Sequence, residues 1–201
     1  MPGDNRSVLT TGRKLTANVL PLLLTTPLLV AAFFEYNSNK FSVLFYILLA
    51  GFPLVTWLAV NLIGLLGNAG MRDEISRRMH EKRPFDQNER YFVGFASPGY
   101  KNALDSHEDV GFLTVFEDHL EFYGGENEAV IPLSAVKGVT FRKNPHSWAL
   151  LGRWVSVEAE IEGKPIRLLV EPREKATLLG NRAFSVQLRE RLESWAKGGA
   201  V

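Results

Sequence analysis

The pattern of hydrophobic and polar positions divides the chain into two parts. Leu15 to Phe34 runs about 20 residues without a charged side chain, and Phe41 to Met71 runs about 30 more. A helix needs about 20 apolar residues to cross the hydrocarbon core of a bilayer. After Arg72 the chain is mixed, charged and rich in turn residues. The pattern therefore predicts a two-helix transmembrane hairpin over residues 15–71, followed by a soluble domain.

Basic residues flank this hairpin on both outer sides. Arg13 and Lys14 precede the first span, whereas the short connection between the spans offers only Lys40, beside Glu35. Lys and Arg near short membrane loops stay in the cytoplasm. We therefore expect a multi-pass protein of the cell (inner) membrane with two spans and both termini cytoplasmic, residues 1–14 being a cytoplasmic tail. The juxtamembrane basic residues after the second span are Arg72, Arg77, Arg78, Lys82 and Arg83.

The first span also allows a second interpretation. Arg13 and Lys14, followed by an apolar run that reaches Val30-Ala31-Ala32, resemble a signal peptide with a small-residue cleavage site. The apolar run is long for a signal peptide, so we expect an uncleaved span. With either interpretation, the second span would still deliver the C-terminal domain to the cytosol.

Asn61 is the one strongly polar side chain deep in the second span. We expect it to hydrogen-bond the first span or a second copy of the chain, as polar side chains in membrane helices do. A transport pathway is not expected, because the two spans carry no ionisable group that could relay an ion or a proton.

The segment after the spans keeps a helical period. Met71, Ile75 and Met79 recur every four residues with basic residues between them, which predicts a helix that continues until Pro84 stops it. Residues 72–89 are therefore expected to form a basic juxtamembrane helix and linker. Its basic face either lies against anionic headgroups or is simply solvated.

The second part of the chain changes its hydrophobic period to two residues, which predicts strands. Trp154 to Ile161 alternates most clearly, and Glu162-Gly163 predicts a tight turn into the next strand. On the outer face we expect Arg167 to pair across the strands with Glu158 or Glu160. The predicted strands cover residues 91–96, 110–116, 119–124, 128–133, 136–142, 153–161 and 164–171.

The last segment predicts an amphipathic helix. Asn181 is the expected N-cap, and Gly198-Gly199 is expected to end the helix, with residues 198–201 as a tail. Trp195 continues the apolar stripe, so we expect it in the core. The stripe consists of Ala183/Phe184, Leu188, Leu192 and Trp195.

Seven short strands followed by one amphipathic helix is the order of pleckstrin-homology-like domains, and residues 90–197 resemble this superfold. The resemblance is carried by Gly111–Phe116 with His119–Tyr123, by Ile131-Pro132-Leu133, and by the helix with Trp195. The chain is similar to small bacterial membrane proteins in which a PH/GRAM-type domain follows a two-helix hairpin. The resemblance implies an α+β membrane protein whose seven-stranded β-roll or barrel is capped by a C-terminal helix. It also implies binding of lipids, peptides or proteins rather than catalysis.

Composition narrows the functions further. The chain has 201 residues, a net charge of +1 and no cysteine. A nearly neutral chain without a basic stripe is not expected to bind nucleic acid. Without cysteine there are no disulfides, no thiolate catalysis and no Cys-ligated metal. We expect no cofactor, and we expect the lipid bilayer and a protein partner or a second copy of the chain as partners.

The loop of residues 97–109 concentrates acid–base side chains. Asp105, His107, Glu108 and Asp109 are weak candidates for a metal or acid–base site, because a His with carboxylates holds metals or moves protons. No second motif completes the ligand set, so solvation or turn capping is the favoured interpretation and no catalytic residue is assigned. The loop is negatively charged, which argues against phosphoinositide binding at this position.

The loop of residues 142–153 combines charge with apolar side chains. Such a mixture is typical of interfacial segments. We predict membrane or partner contact through it, the alternative being that Trp148 and Leu151 pack onto the sheet while the charges are solvated. The predicted contact residues are Arg142, Lys143, Trp148, Leu150 and Arg153.

Two functions remain after these observations. The favoured one is a membrane-anchored cytoplasmic PH-like domain that acts as a binding, scaffolding or sensing module for a protein or lipid partner. The alternative is a membrane-bound metal-dependent enzyme that uses the loop of Asp105, His107, Glu108 and Asp109.

Overall fold

The computed structural model describes residues 7–82, 88–100 and 105–198 and has an α+β architecture. Long apolar helices come first, an antiparallel sheet follows, and one helix closes the chain. The helices are α1 Thr11–Asn39, α2 Val43–Ile63, α3 Asn68–Lys82 and α4 Leu178–Ala196. The strands are β1 Glu89–Ala96, β2 Asp109–Val115, β3 His119–Gly124, β4 Glu128–Pro132, β5 Val136–Arg142, β6 Trp154–Ile161 and β7 Lys164–Pro172.

Helices α1 and α2 form a hairpin with an apolar outer surface. Thr10 and Ser42 cap their N-termini by accepting hydrogen bonds from the amides three residues later. α1 and the helical run Val43–Glu81 are both long and apolar enough to cross a membrane. Leucines such as Leu54 and Leu62 face outward, with 60% and 62% of their surface exposed. An apolar surface of this extent is unusual in water.

Helix α3 packs its apolar stripe onto one face of the sheet. Met71, Ile75 and Met79 are 2%, 0% and 7% exposed. They share a core with Val8 and Leu9 and with side chains of the first strands. The predicted helix is confirmed, and its apolar stripe is buried against the sheet. Pro84 lies outside the described residues. The strand residues of this second core are Phe92, Val110, Phe112 and Tyr123.

The seven strands form one sheet in the order β4-β3-β2-β1-β7-β6-β5, and every neighbouring pair is antiparallel. The strand bounds lie within about two residues of those predicted from period-two alternation. Glu162 and Gly163, both with positive φ, form the predicted tight turn. Arg167 lies directly opposite Glu158, as expected. The sheet is open: within the described residues no ladder joins β4 to β5, so strand pairing does not close a barrel.

Helix α4 covers the other face of the sheet and completes the main core. Leu188, Leu192 and Trp195 are at most 1% exposed and pack against Val93 and Val155, among others. The Trp195 indole Nε1 donates a hydrogen bond of 2.7 Å to the Phe116 carbonyl. The prediction that Trp195 belongs to the core is confirmed.

The start of α4 differs from the prediction. Thr177, not Asn181, is the N-cap, and its hydroxyl accepts a hydrogen bond of 3.1 Å from the Gly180 amide. Asn181 is buried one turn later, where its side chain bonds both backbone groups of Lys175. Ser185, and neither Ala183 nor Phe184, continues the buried stripe. The helix therefore begins earlier than predicted because a threonine cap precedes the asparagine.

Several side chains of the hairpin and of α3 fix the sheet to the helices. Asn61 was expected to bond the first span or a second copy, but its Oδ1 accepts from the backbone at the start of α4. These bonds give the hairpin one defined orientation relative to the sheet. Trp57 Nε1 donates to the Ala149 carbonyl at 2.8 Å, and the Leu179 amide donates to Asn61 Oδ1 at 2.8 Å. Lys14 Nζ donates to the His107 carbonyl at 3.0 Å, and Asn68 Nδ2 donates to the Arg173 carbonyl at 2.5 Å.

Candidate functional site

The four acid–base side chains of the 97–109 loop do not converge on one site. Asp109 is buried and closes the β3–β4 turn by accepting hydrogen bonds from backbone amides of that turn, those of Glu126 and Asn127 at 2.8 Å. Glu108 accepts from the amide and the hydroxyl of Ser97. Among the described residues no group of three His, Cys, Asp or Glu side chains is arranged to hold a metal ion. The other two candidates, Asp105 and His107, lie instead beside Glu171 of β7.

His107 lies buried between two carboxylates at the end of the sheet that meets the hairpin. Its Nδ1 is 2.6 Å from Oδ1 of Asp105. Its Nε2 is 3.0 Å from Oε2 of Glu171, an ion-pair distance outside hydrogen-bond geometry. Gly94 pairs with Glu171 across β1 and β7, and a Cβ at Gly94 would lie 2.0 Å from the His107 ring. The glycine thus provides the space in which the imidazole lies.

Further buried polar groups surround this pair. Glu171 accepts hydrogen bonds from Asn144 Nδ2 at 2.8 Å and from the Arg153 amide at 3.0 Å. Arg173 is 5% exposed, and its Nε and Nη1 have no hydrogen-bond partner in the described structure. Sequence reasoning missed Glu171, Asn144 and Arg173, because they come from distant elements and belong to no motif. Asp105, His107, Glu171 and Arg173 are called the buried ion cluster below.

Electrostatics in the buried ion cluster favour a charged imidazole. Burial alone would lower the pKa of His107, but the charge and hydrogen bond of Asp105, with Glu171, raise this pKa above its ordinary value. Burial would raise the pKa of Asp105, yet the His107 cation holds it well below the ordinary value. Burial lowers the pKa of Arg173, and Asp105 and Glu171 oppose that shift.

The contacts of the cluster decide what it can do chemically. They describe a buried network of ion pairs and hydrogen bonds that ties the 97–109 loop to β7. Because Glu108 and Asp109 are engaged elsewhere, the four residues do not form the single site that the enzyme alternative requires.

The 142–153 loop has the opposite character. A short 3₁₀ turn, Pro145–Ala149, opens with a capping box between Asn144 and Ser147. Trp148 at its tip is 88% exposed, and Leu150 is 61% exposed. Leu151 is 3% exposed and packs inward. Each of the two expected alternatives is therefore correct for one side chain. Leu151 packs onto the fold, whereas Trp148 is exposed and available for contact.

The basic residues of the 142–153 loop also differ from one another in exposure and contacts. Arg142 pairs with Glu158 on the sheet surface, and Lys143 is exposed. Arg153 was predicted to make the membrane or partner contact, but it lies against α4. Its Nε donates to Ser185 Oγ at 2.6 Å, and its guanidinium lies over the Phe141 ring. Of the five predicted contact residues, Arg142, Lys143, Trp148 and Leu150 are therefore exposed, and Arg153 is half-buried.

The juxtamembrane basic residues lie along α3. Arg72 forms an ion pair of 2.7 Å with Glu174, and Arg78 forms one of 2.6 Å with Glu74. Arg77 is exposed. The side chain of Lys82 and the whole of Arg83 lie outside the described residues.

Comparison with known proteins identifies no relative: no family model, no curated protein and no solved structure matches this chain. The function is therefore inferred from the sequence, the fold and the geometry of these sites.

Proposed function

We propose that the protein is a membrane-anchored binding module whose PH-like domain lies on the cytoplasmic surface of the membrane. The hairpin of α1 and α2 crosses the bilayer, and the exposed tip of the 142–153 loop contacts the headgroup region. The domain binds, scaffolds or senses a lipid or protein partner at that surface. The observation that carries this proposal is the 88% exposed Trp148, on a loop whose Ala149 carbonyl is bonded to Trp57 of α2.

The position of Trp57 supports a shallow membrane contact. Trp57 lies within the last two turns of α2, and its indole N–H donates to the loop at 2.8 Å. Tryptophan prefers the interface between hydrocarbon and headgroups, where its ring is apolar and its N–H finds a partner. Trp148 and Leu150 are only a few residues from this bond. Their exposed surface therefore lies at the depth where a bilayer would cover it.

The sheet topology supports a PH-like domain. Seven strands followed by one helix, α4, which packs over one face of the sheet, agree with the element order that the resemblance implies. Such folds host many functions, so the fold alone assigns none. The separation of Asp105 and His107 from Glu108 and Asp109 favours a binding module over the enzyme alternative.

Packing around the hairpin supports a topology in which both of its ends lie on the same side of the bilayer. Val8 and Leu9, before α1, share a buried cluster with Met71 and Ile75 of α3. This contact supports a position of the N-terminal segment and the sheet domain on the same side of the bilayer, and the basic flanks favour the cytoplasmic side. A reporter fused after Val201 is expected to report the cytoplasm, and an external signal would overturn this topology. Loss of about the first 32 residues from the mature chain would support the signal-peptide interpretation instead.

The loop contact is tested by fluorescence quenching in the full chain. The protein contains four tryptophans, and reconstitution into vesicles with bromine-labelled acyl chains quenches those at the membrane. Trp148→Phe is expected to remove a quenched component. The matched control is Trp154→Phe, because Trp154 is 5% exposed within the sheet. If Trp148→Phe removes only unquenched fluorescence, the loop faces water and a protein partner replaces the bilayer in the proposal.

A further inference from the structure

A groove of about 420 Å³ opens where α2 ends, between the α2–α3 turn and the connection from β7 to α4. Its volume falls within the range of small-molecule binding sites. It does not involve the 142–153 loop. The side chains that carry the argument are Leu62, Leu66, Arg72, Arg173, Glu174 and Lys175.

The polar part of this groove is positively charged. Arg72, Arg173 and Lys175 line it together with Glu174 as the carboxylate. Glu174 is already engaged, since it pairs with Arg72 at 2.7 Å and accepts from the Phe92 amide at 2.6 Å. Arg173 forms a buried part of the lining, with two nitrogens lacking hydrogen-bond partners.

The surrounding charges leave a net excess of one cation. Behind Arg173 lie the carboxylates of Asp105 and Glu171, which oppose its charge. Of the remaining charges, Arg72 and Lys175 outweigh Glu174. Gly67, in the turn before α3, and Asn68 and Ala69, the first residues of α3, also line the groove. The groove is thus suited to a ligand group with a single negative charge.

The apolar part of the groove continues along α2. Leu54, Leu58 and Leu62 recur every four residues, so they lie on one side of the helix, and they are 60%, 43% and 62% exposed. Leu66, in the turn after α2, is 58% exposed and lines the groove with Leu62. An exposed leucine track therefore leads from the apolar hairpin to the charged lining. A ligand that fits both parts is an amphiphile with an anionic head.

We propose that this groove binds the phosphodiester headgroup of an anionic glycerophospholipid, with an acyl chain along the leucine track. The inference rests on the membrane insertion of the hairpin in the proposed function and names a lipid that the module holds. A phosphodiester carries one negative charge, which matches the excess cation. A zwitterionic headgroup adds an ammonium group that Arg72 and Lys175 would repel.

The experiment uses the full chain in a non-ionic detergent and counts bound lipid by native mass spectrometry. The probes are dioleoylphosphatidylglycerol and dioleoylphosphatidylcholine at equal concentration. We expect the anionic lipid to bind more tightly, and the double variant Arg72→Gln/Lys175→Gln to weaken its binding by roughly tenfold or more. The matched control is Lys164→Gln/Arg167→Gln, which removes the same two charge types from exposed positions near the other end of β7. The control is expected to retain wild-type binding.

The remaining outcomes separate the possible sources of the anion. Inorganic phosphate at millimolar concentration is not expected to displace the lipid; displacement would make a free phosphate the ligand and overturn the inference. Equal binding of both lipids, or equal effects of both double variants, would also overturn it. The triple variant Arg142→Ser/Lys143→Ser/Trp148→Ser is expected to keep this site. A chain that fails to insert in membranes refutes the proposed function, whereas an inserted chain without bound anionic lipid refutes only the groove.

Discussion

The two loops at the hairpin end of the sheet differ in the kind of side chain that they direct inward. The 97–109 loop directs Asp105 and His107 inward, where they are buried with Glu171. The 142–153 loop directs Trp148 and Leu150 outward and buries Asn144 and Leu151. Asp105 and His107 are thus on the inward side of one loop, and the large aromatic Trp148 is on the exposed side of the other.

The difference shows that the exposure of a loop side chain depends on the elements packed beside the loop. Buried charges persist only when opposite charges and hydrogen bonds compensate for lost hydration. Glu171 of β7 and Arg173, which directly follows the strand, provide that compensation to the first loop. Trp148 lacks such cover among the described residues and is 88% exposed, beside the Ala149 carbonyl that Trp57 of α2 bonds. An exposed aromatic side chain at such a place is typical of an interaction surface.

The largest expected effect is on the buried side of this comparison. Asp105→Ala leaves His107 and Arg173 with one carboxylate between them and should lower the free energy of unfolding by about 3–5 kcal/mol. Denaturant unfolding of the full chain in detergent, followed by tryptophan fluorescence, measures it. The control is Glu108→Gln, which alters only the contact with Ser97 and should cost about 1 kcal/mol or less. Equal losses from both variants would show that the buried ion cluster has no special role.

The next effect separates the two apolar sides of the 142–153 loop. Leu151→Ala removes a buried side chain and should lower the free energy of unfolding by about 2–4 kcal/mol. Leu150→Ala, at a neighbouring and exposed position, should change it by less than about 0.5 kcal/mol. The same denaturation assay compares them. Similar losses from the two variants would contradict the division of this loop into a packed and an exposed side.

A smaller effect concerns pH. Because the folded-state pKa of His107 is raised, its stabilisation is complete below the unfolded value of about 6.5 and is lost as pH rises through the folded-state pKa. Because the pKa of Asp105 is lowered, its contribution is present above about pH 4 and is lost only as pH falls through that lowered pKa. The melting temperature should therefore decline as the pH rises above about 6.5.

His107→Gln is the matched variant for this pH dependence. It should be less stable than the wild type at pH 6 and should lose the decline in melting temperature at higher pH. His146 is a second histidine near the cluster, but burial lowers its pKa, so it titrates on the acidic side of this window. A decline of equal size in His107→Gln would assign the pH dependence to another group.

The smallest effect on stability is expected at the tip of the exposed loop. Trp148→Ser should change the free energy of unfolding in detergent by no more than about 0.5 kcal/mol, because the side chain is 88% exposed. In anionic vesicles the same variant should lose the protection of the loop from added protease, because the bilayer no longer covers it. A large loss of stability in detergent would show that Trp148 belongs to the fold and not to a contact surface.

Periodicity along the chain determined the helices and strands. Alternation in Trp154–Ile161 and the glycine in Glu162-Gly163 are local signals, and so is the stripe that ends in Trp195. Their prediction succeeded because such signals depend only on residues a few positions apart. They also identified the 142–153 loop as apolar and basic together, though not which of its side chains are exposed.

Tertiary structure alone decided the buried ion cluster and the groove. The pairing of Gly94 with Glu171 in β1 and β7 brings a carboxylate to His107, and nothing near either residue in the chain indicates it. The stripe of α3 was predicted, but its burial with Val8 and Leu9 was not. Period tells which face of an element is apolar, whereas the partner that covers that face is set by contacts between distant segments. Charges follow the same rule, because their burial depends on counter-charges that only the folded chain brings together.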